Sequence, residues 1–218
     1  MPNVLNPTRR KHRSSKAWMQ EHVTDHWVKE AKRLGYRSRA AFKLIEIAKR
    51  DQLFRTGMRV VDLGAAPGSW SQVLAQNIAG KGARILAVDV LDMDPIRGVE
   101  VLKADFSTEE GLAGVEAALG FEPLDLVVSD MAPNLSGIDS VDQARGIHLA
   151  DLALEFAVQR LQPGGDFAVK VFQGEGFDGY HRQVAQHFAK AYVRKPDASR
   201  DRSREVFVVG KALRGPVR

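Results

Sequence analysis

Residues 59–70 read RVVDLGAAPGSW, and this stretch decides the fold. The short β-rich run RVVDL leads into small residues, which let the backbone come close to a ligand. A helix is predicted over about 70–79. Because a strand that turns directly into a helix begins a crossover connection, the stretch predicts the first strand of a parallel sheet.

The rest of the chain continues this alternation. Further strands are predicted in ARILAVDV (83–90), VEVLKAD (99–105), LDLVVSD (124–130), DFAVKVF (166–172), AYVRK (191–195) and EVFVVG (205–210), and further helices near 16–34, after Ser38, and near 109–119, 143–161 and 178–189. The pattern is typical of an α/β, Rossmann-like fold with a mostly parallel sheet flanked by helices. We expect residues 1–35 to form a basic N-terminal extension with a helix and residues 36–218 to form a single domain.

The charge of the chain is unevenly distributed. Residues 1–50 carry 13 Lys and Arg against 4 Asp and Glu, residues 190–218 carry 9 against 3, and the segment between them is acidic. A polyanion such as RNA would be attracted to the two basic ends, although a solvated basic tail has the same composition. Without cysteine, the chain cannot form disulfides, thiolate zinc sites or a cysteine nucleophile.

The beginning of the chain contains no apolar stretch typical of a secretory signal, and no apolar run reaches the length of a membrane span. We therefore expect a cytoplasmic protein that does not enter the membrane. A basic, acid-poor start also fits an organellar transit peptide. The histidines show no metal-ligand pattern, so no metal site is expected.

The turn after the first predicted strand has the features of a cofactor loop. Gly64 and Gly68 show G-x-x-x-G spacing, whereas a pyrophosphate-binding turn shows G-x-G-x-x-G. Asp62 at the mouth of the loop would repel phosphates and attract a cation. The loop therefore favours a cofactor that is cationic and carries no phosphate.

Two more acids follow the next two predicted strands. Asp89 could accept hydrogen bonds from ribose hydroxyls, which would also serve NAD, and Asp105 could accept from an adenine amino group beside the ring of Phe106. Taken singly, each acid is more often a helix cap or a loop acid. Acids at the ends of successive strands nevertheless fit the rule that ligands bind at the carboxyl edge of such a sheet.

Five strings in the order of the chain resemble the FtsJ-type ribosomal RNA 2′-O-methyltransferases: RSRAAFKL (37–44), VVDLGAAPGSW (60–70), SDMAPNLSG (129–137), VKVFQGEGFD (169–178) and RKPDASRDRSREVF (194–207). The resemblance implies a seven-stranded Rossmann-like sheet and S-adenosyl-L-methionine as methyl donor. It implies a uridine of large-subunit ribosomal RNA as substrate. The implied catalytic residues are Lys43, Asp130, Lys170 and Glu205, and the implied cofactor contacts are Gly68, Trp70, Asp89, Asp105 and Asp130. Ser69 departs from the family pattern, which usually has glycine there.

The implied residues suit methyl transfer to a hydroxyl. A ribose hydroxyl becomes a good nucleophile when its proton is removed or strongly hydrogen-bonded, and Lys170 is the candidate base. A second cation, Lys43, favours the neutral amine that a base requires, whereas Asp130 orients the amine and opposes this effect. Without the resemblance, Lys43 reads as a solvated helix face, Lys170 as a lysine that reaches solvent from a strand end, and Glu205 as a partner for Arg202 or Arg204.

Three alternatives compete with this interpretation. A base-modifying methyltransferase would carry an aromatic residue where SDMAPN has Asn134; an RNA-binding assembly factor would not need Lys170; and a dehydrogenase is disfavoured by Asp62 and the loop spacing. We expect the protein to be a monomer and to bind ribosomal RNA through its phosphates. The expected contacts are the N-terminal basic helices and the stretch 194–204, including Arg37, Arg39, Arg200 and Arg202.

Overall fold

The computed structural model describes residues 25–200 and 202–215. Seven strands are present: β1 Arg59–Leu63, β2 Arg84–Asp89, β3 Glu100–Lys103, β4 Leu124–Ser129, β5 Leu161–Phe172, β6 Phe188–Arg194 and β7 Glu205–Leu213. The helices of the described residues are α1 His26–Leu34, α2 Ala40–Asp51, α3 Ser69–Asn77, α4 Glu109–Leu119, α5 Asp139–Arg160 and α6 Phe177–His187. The predicted alternation of strands and helices is confirmed.

The strands form one sheet in the order β3-β2-β1-β4-β5-β7-β6. The strands β1 to β5 run parallel to one another, and β7 runs antiparallel to both β5 and β6. The predicted mostly parallel, seven-stranded sheet is confirmed. The strand order reverses between β1 and β4, and in open α/β sheets ligands bind outside the carboxyl ends of the strands at such a reversal.

The core lies on both faces of the sheet because neighbouring side chains of a strand point in opposite directions. In β1, Val60 packs among residues of α2 and α3, such as Leu44 and Val73. Its neighbour Val61 packs on the other face among residues of α4, α5 and α6, including Val115. The helices therefore cover the two faces of the sheet and leave its carboxyl edge to the loops.

The N-terminal helices agree with the sequence in type and differ slightly in their bounds. Gly35, in the left-handed region with φ 75°, ends α1 as predicted. Ser38 is not the N-cap of α2, since that position falls on Arg39, but its Oγ accepts a hydrogen bond from the amide of Ala40 at 3.2 Å. The start of the predicted helix 16–34, with Trp18, lies outside the described residues. The boundary at residue 35 stays a prediction.

The start of α5 was predicted at residue 143, and this is wrong by four residues. The carboxylate of Asp142 accepts hydrogen bonds from the amide and hydroxyl of Ser136, both at 2.7 Å, and from the amide of Gly137 at 3.1 Å. These bonds hold the preceding loop against the first turn of the helix. Apolar periodicity could not reveal this turn because three of its four residues, Asp139, Ser140 and Asp142, are polar. None of the helices in the described part of the chain is long and apolar enough to cross a membrane.

Candidate active site

Two strand ends meet where the order of the sheet reverses. The amide of Asp130, directly after β4, donates to the carbonyl of Leu63 at the end of β1 at 3.0 Å. On the other side of β4, Lys170 lies in β5, two residues before its end. Because β7 is antiparallel, its first residue, Glu205, lies opposite Phe172 at the end of β5. The topology thus brings three of the four implied catalytic residues to one edge.

Lys170 and Asp130 form the first pair of the site. The Nζ of Lys170 donates to the backbone carbonyl of Asp130 at 2.6 Å and lies 2.9 Å from its Oδ1. The side chain of Lys170 is only 8% exposed. The alternative that this lysine reaches solvent from the strand end is therefore wrong. The two contacts with Asp130 fix the position of the amine.

Lys43 and Glu205 form the second pair. The Nζ of Lys43, on α2, lies 2.7 Å from Oε1 of Glu205, and the hydroxyl of Ser199 donates to the same oxygen at 2.9 Å. Both side chains are nearly buried, at 13% and 12% exposure, so Lys43 does not lie on a solvated helix face. Arg204 contacts Asp139 instead of pairing with Glu205.

The charge of Glu205 connects the two pairs. Burial raises the pKa of this carboxyl, but Lys43, Lys170 and the hydroxyl of Ser199 together outweigh burial and hold the pKa below its ordinary value. Glu205 is therefore ionised at neutral pH and interacts with both lysines. The four implied catalytic residues form one cluster of alternating charge.

Asp62 lies beneath the cofactor loop and is fully buried. Ser71, in the first turn of α3, donates its hydroxyl to Oδ2 of Asp62 at 2.6 Å, while Oδ1 has no hydrogen-bond partner among the described residues. Burial raises the pKa of Asp62 to about 7; Ser71 opposes the rise, and the charges of Asp130 and Asp89 add to it. A cation at the loop would relieve this concentration of carboxylates, so the residues present fit the cationic cofactor predicted from the sequence.

Asp89 and Asp105 have contacts within the chain. The carboxylate of Asp89, at the end of β2, accepts from the amides of Ala66 and Leu91, each at 2.9 Å, and so ties the cofactor loop to the loop after β2. Asp105 is exposed, and its Oδ1 accepts from the amide and hydroxyl of Ser107. These hydrogen bonds lower the pKa of Asp105. The two acids lie at the expected strand ends, and their cofactor contacts stay predictions.

Trp70 and Phe106 lie in the core. Trp70 is 2% exposed, and its Nε1 donates to the carbonyl of Ala40 at 2.8 Å, which joins α3 to α2. Phe106 is 7% exposed, and its ring packs edge-on against Phe156. Both rings therefore belong to the hydrophobic core, and direct contact of either residue with the cofactor stays a prediction.

The two loop glycines are required by close packing. A Cβ on Gly64 would lie 2.8 Å from the backbone of Met131, in the loop after β4. A Cβ on Gly68 would lie 2.6 Å from a guanidinium nitrogen of Arg37. Both glycines have positive φ, 73° and 105°. The loop is thus wedged between its neighbours, whichever ligand it holds.

Two arginines expected to contact RNA phosphates have partners within the chain, and their contact with RNA stays a prediction. Arg39 pairs with Asp25 and donates to the carbonyl of Ala198. Arg194 forms a two-pronged contact with the carboxylate of Asp51, at 2.8 and 2.5 Å, and this contact raises the pKa of Arg194. Sequence reasoning could not distinguish such arginines from surface arginines because a count of charges does not report their partners.

The sheet order, the antiparallel seventh strand and the lysine-acid pairs at the carboxyl edge define a Rossmann-like methyltransferase. The chain is similar to a crystal structure described as that of a ribosomal RNA methyltransferase from Plasmodium falciparum. The TM-score is 0.71 and the identity 26%, over 83% of this chain and 100% of that one. Residues 36–213 match the family described as FtsJ-like methyltransferase, and the chain belongs to this family.

Proteins named ribosomal RNA large subunit methyltransferase E are similar over nearly the whole chain. The protein from Methylobacillus flagellatus is 56% identical over 197 residues, which cover 90% of this chain and 95% of that protein. The protein from Pseudomonas aeruginosa is 50% identical over 203 residues, which cover 93% and 98%. The resemblance stated from the sequence is confirmed. In the described part of the chain, no group of three or more His, Asp or Glu side chains could hold a metal ion.

Proposed function

We propose that the protein transfers a methyl group from S-adenosyl-L-methionine to the ribose 2′-hydroxyl of a uridine in large-subunit ribosomal RNA. The observation that carries the proposal is the pairing of Lys170 with Asp130 beside the pairing of Lys43 with Glu205, at the carboxyl edge of a methyltransferase sheet. The names of the relatives support the choice of ribosomal RNA.

Lys170 takes the proton of the hydroxyl in this mechanism. An amine nitrogen has three hydrogen-bonding positions besides its carbon; the carbonyl of Asp130 occupies one of them, and the carboxylate of Asp130 lies 2.9 Å from Nζ as its ion-pair partner. A remaining position is assigned to the 2′-hydroxyl, whose oxygen then forms the new bond to carbon as its proton passes to Nζ. When bound, S-adenosyl-L-methionine supplies a methyl group made electrophilic by its sulfonium, and the bond between sulfur and that methyl group breaks.

Lys43 acts through its charge. Its ammonium group stabilises negative charge that develops on the ribose oxygen. Glu205, which accepts a hydrogen bond from Ser199, holds Lys43 in place, and the nearly buried setting excludes most of the water that would screen this charge. Lys43 and Lys170 are therefore assigned different tasks, although both are lysines.

The cofactor residues are assigned by their chemistry. Asp89 accepts from the ribose hydroxyls of the donor, Asp105 from its adenine amino group, and the charge of Asp62 favours its cationic part. Gly64 and Gly68 shape the loop, and Asp130 lies between the two substrates. Trp70 and Phe106 support the site, and a backbone contact of each with the donor belongs to the same proposal.

The RNA is assigned to the basic surfaces of the chain. The phosphate contacts are assigned by charge to the basic N-terminal extension, residues 1–35, and to the arginine-rich segment with Arg200 and Arg202. We assign a monomer in the cytoplasm, where bacterial ribosomes are assembled. Neutralising the basic residues of the extension should weaken RNA binding at low salt more than at high salt, and equal binding would contradict the assignment.

Transfer of a labelled methyl group tests the function. Large ribosomal subunits purified from a strain that lacks the protein are incubated with it and with labelled S-adenosyl-L-methionine, and the modified nucleotide is mapped. The proposal predicts one labelled uridine that carries the methyl group on its ribose. Label on a base nitrogen, or no label on subunits that the protein binds, would contradict it.

A further inference from the structure

Arg37, between α1 and α2, lies across two loops at the carboxyl edge of the sheet. One guanidinium nitrogen, Nη1, donates to the carbonyls of Pro67 and Asp94, each at 2.8 Å. The other, Nη2, donates to the carbonyl of Pro95 at 3.0 Å. Pro67 belongs to the cofactor loop after β1, and the other two carbonyls belong to the loop after β2. One side chain thus ties together two loops that follow neighbouring strands.

Gly68 makes room for this guanidinium. A Cβ at Gly68 would lie 2.6 Å from Nη1 of Arg37, 2.8 Å from Ile96 and 2.9 Å from Met93. The absent side chain therefore leaves room for Arg37 and for two side chains of the loop after β2.

Hydrogen bonds join the segment around Arg37 to the first turns of α3. The amide of Arg37 donates to Oε1 of Gln72 at 2.8 Å, and Nε2 of Gln72 donates to the carbonyl of Gly35 at 3.1 Å. The hydroxyls of Ser38 and Ser69 lie 2.7 Å apart. Since α2 starts at residue 40 and carries Lys43, these bonds link the cofactor loop to the helix of a catalytic residue.

We propose that Arg37 is a positioning residue for the methyl donor, and that it acts by holding the two cofactor loops in their binding geometry. A guanidinium has five N–H donors in a rigid fork, which suits it to bridging several carbonyls, and a lysine cannot span them in the same way. The sequence had indicated a phosphate contact for this residue. The proposal rests on the proposed function in one respect, because it takes S-adenosyl-L-methionine as the ligand of these loops.

The test compares Arg37→Ala and Arg37→Lys with the wild-type protein, and with Arg182→Ala as the control. Arg182 is an exposed arginine on α6, outside the cofactor loops and the segments assigned to RNA, so its replacement removes the same charge without touching the loops. Calorimetry gives the Kd of S-adenosyl-L-methionine in the absence of RNA. Steady-state kinetics then give kcat and the KM of each substrate, and circular dichroism with thermal unfolding checks the fold.

We expect Arg37→Ala to raise the Kd of the methyl donor about tenfold, as the loss of a charged hydrogen-bonded bridge implies, with Arg37→Lys in between and Arg182→Ala unchanged. The KM of the donor should rise in parallel. At saturating donor and RNA, kcat should stay within about twofold, since Arg37 does not touch the reacting atoms.

Two results would overturn the proposal. In the first, Arg37→Ala leaves the Kd of the donor unchanged, raises the KM for RNA, and lowers the salt dependence of RNA binding by about one charge. This result would show that Arg37 is a phosphate ligand. In the second, the melting temperature, kcat and donor binding all fall together in both Arg37→Lys and Arg37→Ala. This result would show that Arg37 is a structural residue only. A wild-type protein that binds no S-adenosyl-L-methionine would contradict the proposed function itself, and this would be evident before any variant is compared.

Discussion

The Nζ of Lys43 lies 2.7 Å from Oε1 of Glu205, although the first residue belongs to an N-terminal helix and the second to the last strand of the sheet. The antiparallel direction of β7 creates this relationship. A parallel seventh strand would place its first residue at the opposite edge, far from Lys43. The position of Glu205 is therefore a consequence of topology, and its ionised state follows from the two lysines that it faces.

Replacing Glu205 tests whether it positions Lys43. In Glu205→Gln, Lys43 loses its ionic partner, and we expect kcat to fall by about ten- to a hundredfold because the lysine becomes free to move or to bind another acceptor. The Kd of S-adenosyl-L-methionine should change less than twofold. The control is Glu155→Gln, a change on the exposed side of α5 that should leave both quantities as they are. An unchanged kcat for Glu205→Gln would contradict the role of Glu205 in positioning Lys43.

Asp62 should make the stability of the cofactor-free protein depend on pH. Its pKa is about 7 in the fold, against an ordinary value of 3.8, so between these values the folded state holds a proton that the unfolded state has lost. The contribution of this group to the free energy of unfolding therefore falls as pH rises through this window, by up to about 4 kcal/mol at 1.4 kcal/mol per pKa unit.

The Asn variant isolates this effect. The free energy of unfolding, measured with urea, should rise for Asp62→Asn relative to the wild type as the pH is raised from 5 to 8. S-adenosyl-L-methionine should reduce the difference if its cationic part favours the ionised carboxylate. A difference between variant and wild type that is the same at pH 5 and pH 8 would contradict this assignment of the pKa.

Ser69 should contribute to stability through its hydroxyl. It stands where the family usually has glycine, it is 2% exposed, and its Oγ lies 2.7 Å from that of Ser38. We expect Ser69→Ala to lower the free energy of unfolding by about 1 kcal/mol, and Ser69→Gly by about 2 kcal/mol, because glycine also weakens the first turn of α3.

A double-mutant cycle separates the hydroxyl pair from other effects. If the two hydroxyls bond to each other, Ser38→Ala should cost less in the Ser69→Ala background than in the wild type. The matched comparison is Ser140→Ala at the exposed start of α5. Strictly additive losses in unfolding experiments would show that the pair is not coupled.

Much of the fold could be predicted because the β-rich runs are clearly separated and periodic. The two helix starts that were displaced have local causes. The first turn of α5 is mostly polar and is held by Asp142, and Ser38 bonds to Ala40 from one position before the N-cap. Neither hydrogen bond leaves a trace in apolar periodicity, which is the signal from which the elements were predicted.

The acids and lysines of the candidate site could be predicted from the sequence, whereas their hydrogen-bond and ion-pair partners could not. Asp130 follows β4 and Lys170 lies near the end of the adjacent β5, so their meeting follows from the order of the sheet. The contacts of Arg37, Arg39 and Arg194 depend on how loops distant in the sequence pack, and composition reports only that these residues are basic. Trp70 and Phe106 were read as ligand contacts, yet the same rings are large enough to serve as core.

The most direct measurement is single-turnover methyl transfer by Lys170 variants at saturating S-adenosyl-L-methionine and large subunits. We expect Lys170→Ala to lose at least a thousandfold in rate while its Kd for the donor stays within about threefold, because the residue acts on the ribose hydroxyl. Lys170→Arg should be nearly as slow, since a guanidinium keeps its proton. The exposed Lys190→Ala serves as the control. Normal turnover by Lys170→Ala would contradict the account, and substantial recovery in Lys170→Arg would show that Lys170 holds the hydroxyl without taking its proton.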